Sequence, residues 1–571
     1  MKEIRSYFIL ILAAALMTSC SGLNKMKKNA NLIRYEVIPQ VLETHAGMVD
    51  VTIKGTFPEK YFDRKTTVQV TPVLTYAGGE TAFDEVQVLQ GEKVLANNKV
   101  ISYSGGDFTY TSSVPYEEAM KMSELVLRTR ASRGVQSVDF DPVKLADGVI
   151  ATSTLVEKHG KAVLMEDNFQ RIIPEAQVAD IHYVINRYDI RSSELKSEDI
   201  ELLKNYISEV NTDPDREFKG AVVSSYASPD GPIDFNTKLS GNRGTSADKL
   251  IKREFEDIED AQDQSFFDSK TTAEDWDGFK TEVENSSIQD KDLIIRVLSM
   301  YSDPEVRERE IRNMSSAFEV LKTDILPRLR RSQMTVNVDK IGRTDDQILA
   351  QMRSDPKVLS LEEMLYSATL TTDLTEQLTF YQATAENFPK CIRAHNNVGL
   401  TYLAQGDVDN ALAAFEKAKA IENNDVVKNN IGLAYLAKGE LTRAEEQFNS
   451  MTAATAESRW GLGALAITKG EYDQAVNYFG TEPSYNLALA LVLKGDINRA
   501  KTTLDNLEGV YESGKPAYLK AIVGARLDDR TYMLNGLREA IGLNAEWKEY
   551  AATDLEFAKF FEDDTFKSVI Q

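Results

Sequence analysis

Two cysteines, Cys20 and Cys391, are all that the 571 residues contain. With Cys20 assigned another role (below), no disulfide framework remains, and stability has to come from packing. Histidine is nearly as scarce. His45, His159, His182 and His395 lie far apart, and no His/Cys group has metal-ligand spacing. Surplus positive charge is also missing: 66 basic residues face 89 acidic ones, for a net charge of −23. A phosphate backbone would be repelled, which argues against nucleic acid, and an anionic membrane is no general partner either. The apolar run Tyr7–Met17 falls short of the roughly 20 residues a membrane-spanning helix needs. Enzyme signatures are absent too: no glycine-rich phosphate loop with Lys-Ser/Thr, no His-Glu-x-x-His, no Gly-x-Ser-x-Gly. Cys391 and His395 stand one helical turn apart, where packing explains them better than a nucleophile–base pair. Acids such as Asp275 and Asp277 are generic in so acidic a chain. The expectation is no catalytic centre, no metal and no cofactor.

What is present belongs to a folded, multidomain protein. Hydrophobic residues make up 42% and charged residues 27%, and the length suits about three or four domains. Lys2 and Arg5 precede the apolar run, and Met17-Thr18-Ser19-Cys20 follows it. These residues resemble a bacterial lipoprotein signal. The resemblance implies a signal peptide over 1–19, cleaved before Cys20, whose thiol takes a diacylglycerol and anchors the chain in the outer membrane. Ser21 follows the cysteine, and the next charges are Lys25, Lys27 and Lys28. Surface-displayed lipoproteins of the Bacteroidota carry an acidic run at that place, so the expected face is periplasmic. Residues 20–32 read as a flexible lipidated tether.

From 33 to 165 apolar residues alternate with polar ones. Val49, Val51 and Ile53 flank Asp50 and Thr52, and turns fall at Gly78-Gly79, Gly91 and Gly105-Gly106. Short strands between turns predict a β-sandwich, a spacer or docking module with nothing catalytic in it.

The run Ala221-Val222-Val223 leads into Ser224-Ser225-Tyr226-Ala227-Ser228-Pro229-Asp230-Gly231, and then into a helix beginning near Asn236. Asn236, Leu239, Ser240 and Arg243, with Gly231 before them, stand at the spacing of the OmpA-like, peptidoglycan-binding-type domain. The resemblance implies an α+β domain over 166–345, in which a turn aspartate and the helix arginine grip the ammonium and carboxylate of a diaminopimelate residue. Arg243 holds the arginine position and Ser228 the aspartate position. A hydroxyl carries no charge, so Asp230 and Asp234 are the acids left to supply one. The other reading is a retained scaffold in which Arg243 pairs internally with Asp230 or Asp234. Ser197 is the expected cap of a helix whose Ile200, Leu203, Ile207 and Val210 share one face. Residues 254–320 exceed the family's usual connection and form an insertion, similar to those of OmpA-like lipoproteins in the Bacteroidota. A wall hydrolase built on this insertion near Trp276 is the enzymatic rival.

Beyond residue 360 the chain repeats. Gly399, Tyr402, Ala411 and Phe415 are matched by Gly432, Tyr435, Ala444 and Phe448, then by Gly463, Ala466, Ala475 and Phe479, and by Ala488, Leu491, Ala500 and Leu504. Gly406, Gly439, Gly470 and Gly495 end the first helices. The pattern resembles tetratricopeptide repeats and predicts an all-α solenoid over 360–571, with degenerate units near 361–389 and 517–542. Asn396, Asn397, Asn429 and Asn430 are the candidate groove residues, since an amide there can clamp the backbone of a bound peptide. The expected function is a non-enzymatic tether and scaffold of the outer membrane. It would contact peptidoglycan through the central domain and a protein partner through the repeats. The alternative is a scaffold subunit of an outer-membrane assembly, secretion or fimbrial-anchoring complex that leaves peptidoglycan unbound.

Overall fold

The structure is a computed structural model that describes residues 22–84, 86–453, 455–508 and 511–571, without the side chains of 315–317. Cys20 and the signal segment lie outside the described residues. The chain forms two compact units, one of residues up to Glu166 together with Asp373–Gln571, the other of Asp167–Thr372. The central region is therefore inserted in the chain between two parts that pack as one.

In the first unit, two sheets enclose one core. Strands Arg34–Ile38, Leu42–His45, Met48–Phe57, Gly106–Pro115 and Val149–Ile150 form one sheet. Strands Thr67–Tyr76, Gly79–Ala82, Gln87–Gly91, Lys99–Ile101, Glu124–Arg133, Gln136–Asp139 and Val143–Asp147 form the other. Alternation does its work here. Val49, Val51 and Ile53 from one sheet meet Val68, Val70, Leu125 and Leu127 from the other, while Asp50 and Lys54 face outward. The expected flexible tether needs correction. Residues 22–28 are helical, Leu23 and Met26 are buried in the same core, and Tyr61 Oη donates to the Met26 carbonyl at 2.9 Å. Leu23 and Met26, three apart on one helical face, outweigh the Lys and Asn around them.

Helix Leu374–Asn387 is followed in this unit by five helix pairs, Ile392–Ala404 with Val408–Ile421, Asp425–Lys438 with Leu441–Asn449, Ala456–Thr468 with Tyr472–Phe479, Tyr485–Lys494 with Ile497–Asp505, and Lys515–Arg526 with Arg530–Leu543, and then by Trp547–Thr553 and Asp564–Ile570. The small residue of each repeat has a steric cause. A Cβ on Gly399, Gly432 or Gly463 would stand 2.6 Å from the ring of Phe415, Phe448 or Phe479 respectively. The aromatic of the second helix fills the space a side chain would need. Strand-rich part and array meet through polar contacts: His45 Nδ1 lies 2.7 Å from Tyr472 Oη, and Thr152 Oγ1 donates to Glu556 Oε1 at 2.5 Å.

Beside that seam Asp554 is 5% exposed. It accepts the Glu556 N–H at 3.0 Å and the Tyr518 hydroxyl at 2.7 Å. Burial foremost, and the nearby Glu556 charge, push its carboxyl up to about 6. A carboxyl raised in the folded state binds more protons there than in the unfolded chain. Its contribution is thus most favourable below its unfolded value and falls as pH rises towards 6, by about 3 kcal/mol in all. Asp554→Asn keeps an acceptor for the Glu556 N–H and removes the titration. Its melting temperature is expected to match or trail wild type at pH 4 and to exceed it at pH 7. A difference that does not change with pH would remove the assignment.

The second unit carries a four-stranded sheet in the order Ile172–His182, Arg331–Ile341, Arg216–Tyr226, Phe267–Thr272. Arg331–Ile341 is antiparallel to both neighbours, and Phe267–Thr272 runs parallel to Arg216–Tyr226. Helices Glu198–Thr212 and Ile233–Glu254 contribute Ile200, Leu203, Ile207, Val210, Ala247, Leu250 and Ile251 to the core shared with Ile181, Val223, Met334 and Val336. Ser197 precedes the first helix without a side-chain capping bond, and the acids Glu198, Asp199 and Glu201 fill the first turn. The stretch expected as an insertion divides in two. Residues 267–272 add the edge strand, and Trp276–Leu329 form helices around Phe279, Val283, Ile294, Leu298 and Leu326. Helices Asp345–Ser354 and Leu361–Ser367 also belong to this unit, which runs on to Thr372.

Candidate functional site

The first helices of the repeat array carry asparagines at one station, two residues before the small packing residue: Asn397 before Gly399, Asn430 before Gly432, Asn486 before Ala488. Each is at most 1% exposed. What they hold is the chain's own segment 155–166. The Met165 N–H donates to Asn397 Oδ1 at 3.0 Å, and Asn397 Nδ2 donates to the Met165 carbonyl at 2.9 Å. Asn430 makes the same two bonds to Val163, both at 2.8 Å. Asn486 makes them to Glu157, at 3.0 and 2.8 Å. A second row adds Asn396 Nδ2 to the Val163 carbonyl at 3.1 Å, Asn429 Nδ2 to the Lys161 carbonyl at 3.1 Å, and Tyr485 Oη to the Leu155 carbonyl at 3.0 Å.

A carboxamide has one acceptor and one donor side by side, so it completes both main-chain groups of one residue as a neighbouring strand would. The amides are braced against each other, with Asn430 Nδ2 donating to Asn396 Oδ1 at 2.9 Å and Asn396 Nδ2 to Asn397 Oδ1 at 3.1 Å. Complete burial pushes the Tyr485 hydroxyl well above its ordinary value, so it stays a donor. The third repeat has Gly461 at the clamp station. There Trp460 lies against Gly160, where a Cβ would come within 3.3 Å of the indole. All four asparagines singled out from the sequence therefore bond to segment 155–166. Asn486 and Tyr485 belong with them, and the matching station before Ala488 is the signal that finds them.

The second arrangement is the turn after strand Arg216–Tyr226. Asn236 Nδ2 donates to the carbonyls of Ser228 at 3.2 Å and Gly231 at 3.0 Å, tying the turn to the helix it begins. Arg243 is 1% exposed. Its Nε donates to the Arg187 carbonyl at 3.0 Å and its Nη1 to the Tyr226 carbonyl at 2.8 Å. The guanidinium carbon stands 5.0 Å from the centre of the Tyr183 ring. Nη2 is buried without a hydrogen-bond partner. Burial foremost, with Arg330 adding to it, lowers the Arg243 guanidinium to about 10.

Asp230 pairs with Arg330 at 3.2 Å rather than with Arg243, and it accepts the Ser228 hydroxyl. Arg330 Nε also reaches Ser228 Oγ at 3.4 Å. A second pair stands beside it, Arg331 with Asp275 at 3.0 Å. Burial pushes the Asp275 carboxyl up, against the pull of Arg331. Further charges stand close by: the Arg312 guanidinium donates to the Asp230 carbonyl at 3.1 Å, and the Glu308 carboxyl is pushed up by burial and by Glu274 and Asp230, against the pull of Arg312. Arg330 lies a hundred residues from Asp230 in sequence, which is why the motif alone does not reveal this pairing. Among the described residues no group of His, Cys, Asp or Glu could hold a metal ion, and no helix is long and apolar enough to cross a membrane. Cys391 begins helix Ile392–Ala404, and the His395 ring nitrogen Nε2 lies 3.0 Å from the Pro389 carbonyl.

Residues 392–425 match the tetratricopeptide repeat model. Among solved structures, a tetratricopeptide repeat protein from Parabacteroides merdae is similar at 18% identity, covering 37% of this chain and 91% of that one, with a TM-score of 0.32. The pilF protein of Pseudomonas aeruginosa is similar at 15% identity over 37% of this chain and 99% of that one, TM-score 0.28. PilW, described as a type IV pilus biogenesis factor, is similar at 15% identity over 40% and 89%, TM-score 0.23. No curated protein matches the chain. The chain carries tetratricopeptide repeats, and repeats of this kind imply a protein–protein interaction scaffold.

Proposed function

We propose that the protein is a non-enzymatic scaffold of the bacterial cell envelope. A lipid on Cys20 holds it at the outer membrane, on the periplasmic face, and its repeat array receives an extended protein segment. The observation that carries this reading is the asparagine ladder, which pairs with main-chain groups and so accepts many sequences in one conformation. Residues 155–166 fill the ladder in cis. Being tethered, they act at high local concentration, and a partner has to compete with them.

The test replaces residues 156–165 by a Gly/Ser segment of equal length and adds a synthetic peptide with the sequence of residues 153–166. The peptide is expected to bind the replaced protein, to bind wild type at least tenfold more weakly, and to be lost on Asn430→Ala. A peptide that binds none of the three would leave the ladder as a purely internal joint.

The buried, unpartnered Arg243 Nη2 supports a second reading, an OmpA-like grip on a carboxylate of peptidoglycan. Arg243 is buried, so such a grip requires the turn 228–231 to open. The pairing of Asp230 with Arg330 supports the alternative, a scaffold subunit of an assembly, secretion or fimbrial-anchoring complex without wall contact. Co-sedimentation of the soluble chain with purified sacculi separates the two.

A further inference from the structure

One end of the strand-rich part reverses the sign of the whole chain. Strand Thr67–Tyr76 pairs at Thr67 with Ser132 on one side and Gln90 on the other. The hairpin tip after Arg133 and the loop after Gly91 therefore leave the sheet at the same end. Val135 at that tip and Leu95 on that loop are both fully exposed. The Lys93 N–H donates to the Arg64 carbonyl at 2.7 Å, and the Arg64 guanidinium lies 4.6 Å from the centre of the Tyr103 ring.

The start of the described chain is here as well. A Cβ on Gly22 would stand 3.7 Å from both Arg133 Nη1 and Asp63 Oδ2, and Gly22, Lys25, Lys60 and Tyr103 line one hollow. The basic side chains of this end are Lys25, Lys60, Arg64, Lys65, Lys93 and Arg133. The acids among them are engaged locally: Glu59 with Lys60 at 2.9 Å, Glu92 with Arg64 at 3.4 Å, and Asp63 with the Lys65 N–H and the Thr66 hydroxyl, each at 2.9 Å. A basic end carrying two bare aliphatic tips and a half-exposed tyrosine stands out on a chain of net charge −23.

We infer that this end is a membrane-docking face, on which Leu95 and Val135 enter the headgroup layer while the surrounding lysines and arginines meet anionic phospholipid. Two arguments select a lipid surface over another occupant. Charge complementarity is the first, since basic residues around apolar tips suit an anionic interface. The second is position: Cys20 lies only two residues before Gly22. Helix 22–28 is packed into the core, so an acyl chain on that cysteine would bring this end, and no other part of the strand-rich region, against the bilayer. In this respect the inference rests on the lipid-anchored reading. The face adds a second, weak signal to the acyl anchor and sets the orientation of the strand-rich part.

The test uses residues 22–571, which hold both compact units and lack Cys20. Flotation is measured with phosphatidylcholine vesicles with and without phosphatidylglycerol. The protein is expected to float with the anionic vesicles, less so as salt is raised, and not with phosphatidylcholine alone. The double variant Leu95→Glu with Val135→Glu is expected to lose at least tenfold in bound fraction with an unchanged melting temperature, because neither side chain touches the core. No flotation, or equal flotation of the variant, overturns the inference. So does self-association that the variant abolishes without any vesicle binding, which would mark the face as an interface between copies. Acylation of Cys20 is read separately by mass spectrometry of the envelope-extracted chain, and it can fail while flotation succeeds.

Discussion

Changing Asn397, Asn430 and Asn486 together to alanine is expected to free residues 155–166 from the groove. Each substitution strips a partner from one N–H and one carbonyl, at Met165, Val163 and Glu157. A buried main-chain group left unpaired costs about 1–3 kcal/mol. Five such groups, since the Val163 carbonyl keeps Asn396 Nδ2, would exceed what local structure can bear, so the segment leaves and hydrates instead. The observed loss should then be about 3–6 kcal/mol, because neighbouring bonds from Asn396, Asn429 and Tyr485 go with it.

Two readouts follow. Amide exchange at Val163 and Met165 should rise to that of an open segment, and trypsin should cut after Lys158 and Lys161 under conditions where wild type resists. Asn430→Asp is the graded control. Its carboxylate still accepts the Val163 N–H but cannot donate to the Val163 carbonyl, so an intermediate effect is expected. Unchanged proteolysis in the triple variant would mean that Leu155, Val156 and their apolar neighbours hold the segment without the amides.

Arg243→Ala is the second large effect, with an expected destabilisation of the 167–372 unit by about 3 kcal/mol. The change leaves the Arg187 and Tyr226 carbonyls without their donors and empties the space against Tyr183. Relief from carrying a desolvated cation, reflected in a guanidinium lowered to about 10, offsets part of the cost. Arg243→Lys keeps the charge but not the planar fork that reaches two carbonyls at once, and an intermediate loss is expected. Urea unfolding followed by a signal confined to this unit measures both. If alanine is neutral, the arginine does not brace the turn and is held for a ligand instead. The stability cost also bears on the sacculus experiment, where loss of binding by Arg243→Ala counts only if the variant is folded at the assay temperature.

How much of this could be read from the residues depends on the range of the interaction. Gly432 and Phe448 declare a helix pair because one helix and its immediate successor impose the contact, and the same interval recurs along the array. Val49, Val51 and Ile53 declare a strand because its two faces meet different solvents. Asn396, Asn397, Asn429 and Asn430 were legible for the same reason, three and two residues before the small packing residues. Strand Phe267–Thr272 was not: four of its six residues are exposed, and pairing with Ala221–Tyr226 is all that defines it. Leu23 and Met26 were hidden among lysines and asparagines, and only the core that receives them makes the helix.

The amino-acid order by itself thus determined the repeats, the alternating strands, four of the clamp asparagines and the turn at Ser228–Gly231, since each rests on neighbours within one or two elements. Tertiary structure alone decided who partners whom. It filled the groove with residues 155–166, which meet Asn397 and Asn430 more than two hundred residues away. It gave Asp230 to Arg330 rather than to Arg243, and it joined the strand-rich part to the array although residues 167–372 separate them along the chain. The cause is physical. An amide or a guanidinium specifies the kind of group it will bind but not its address, and burial of the whole chain around it supplies the address.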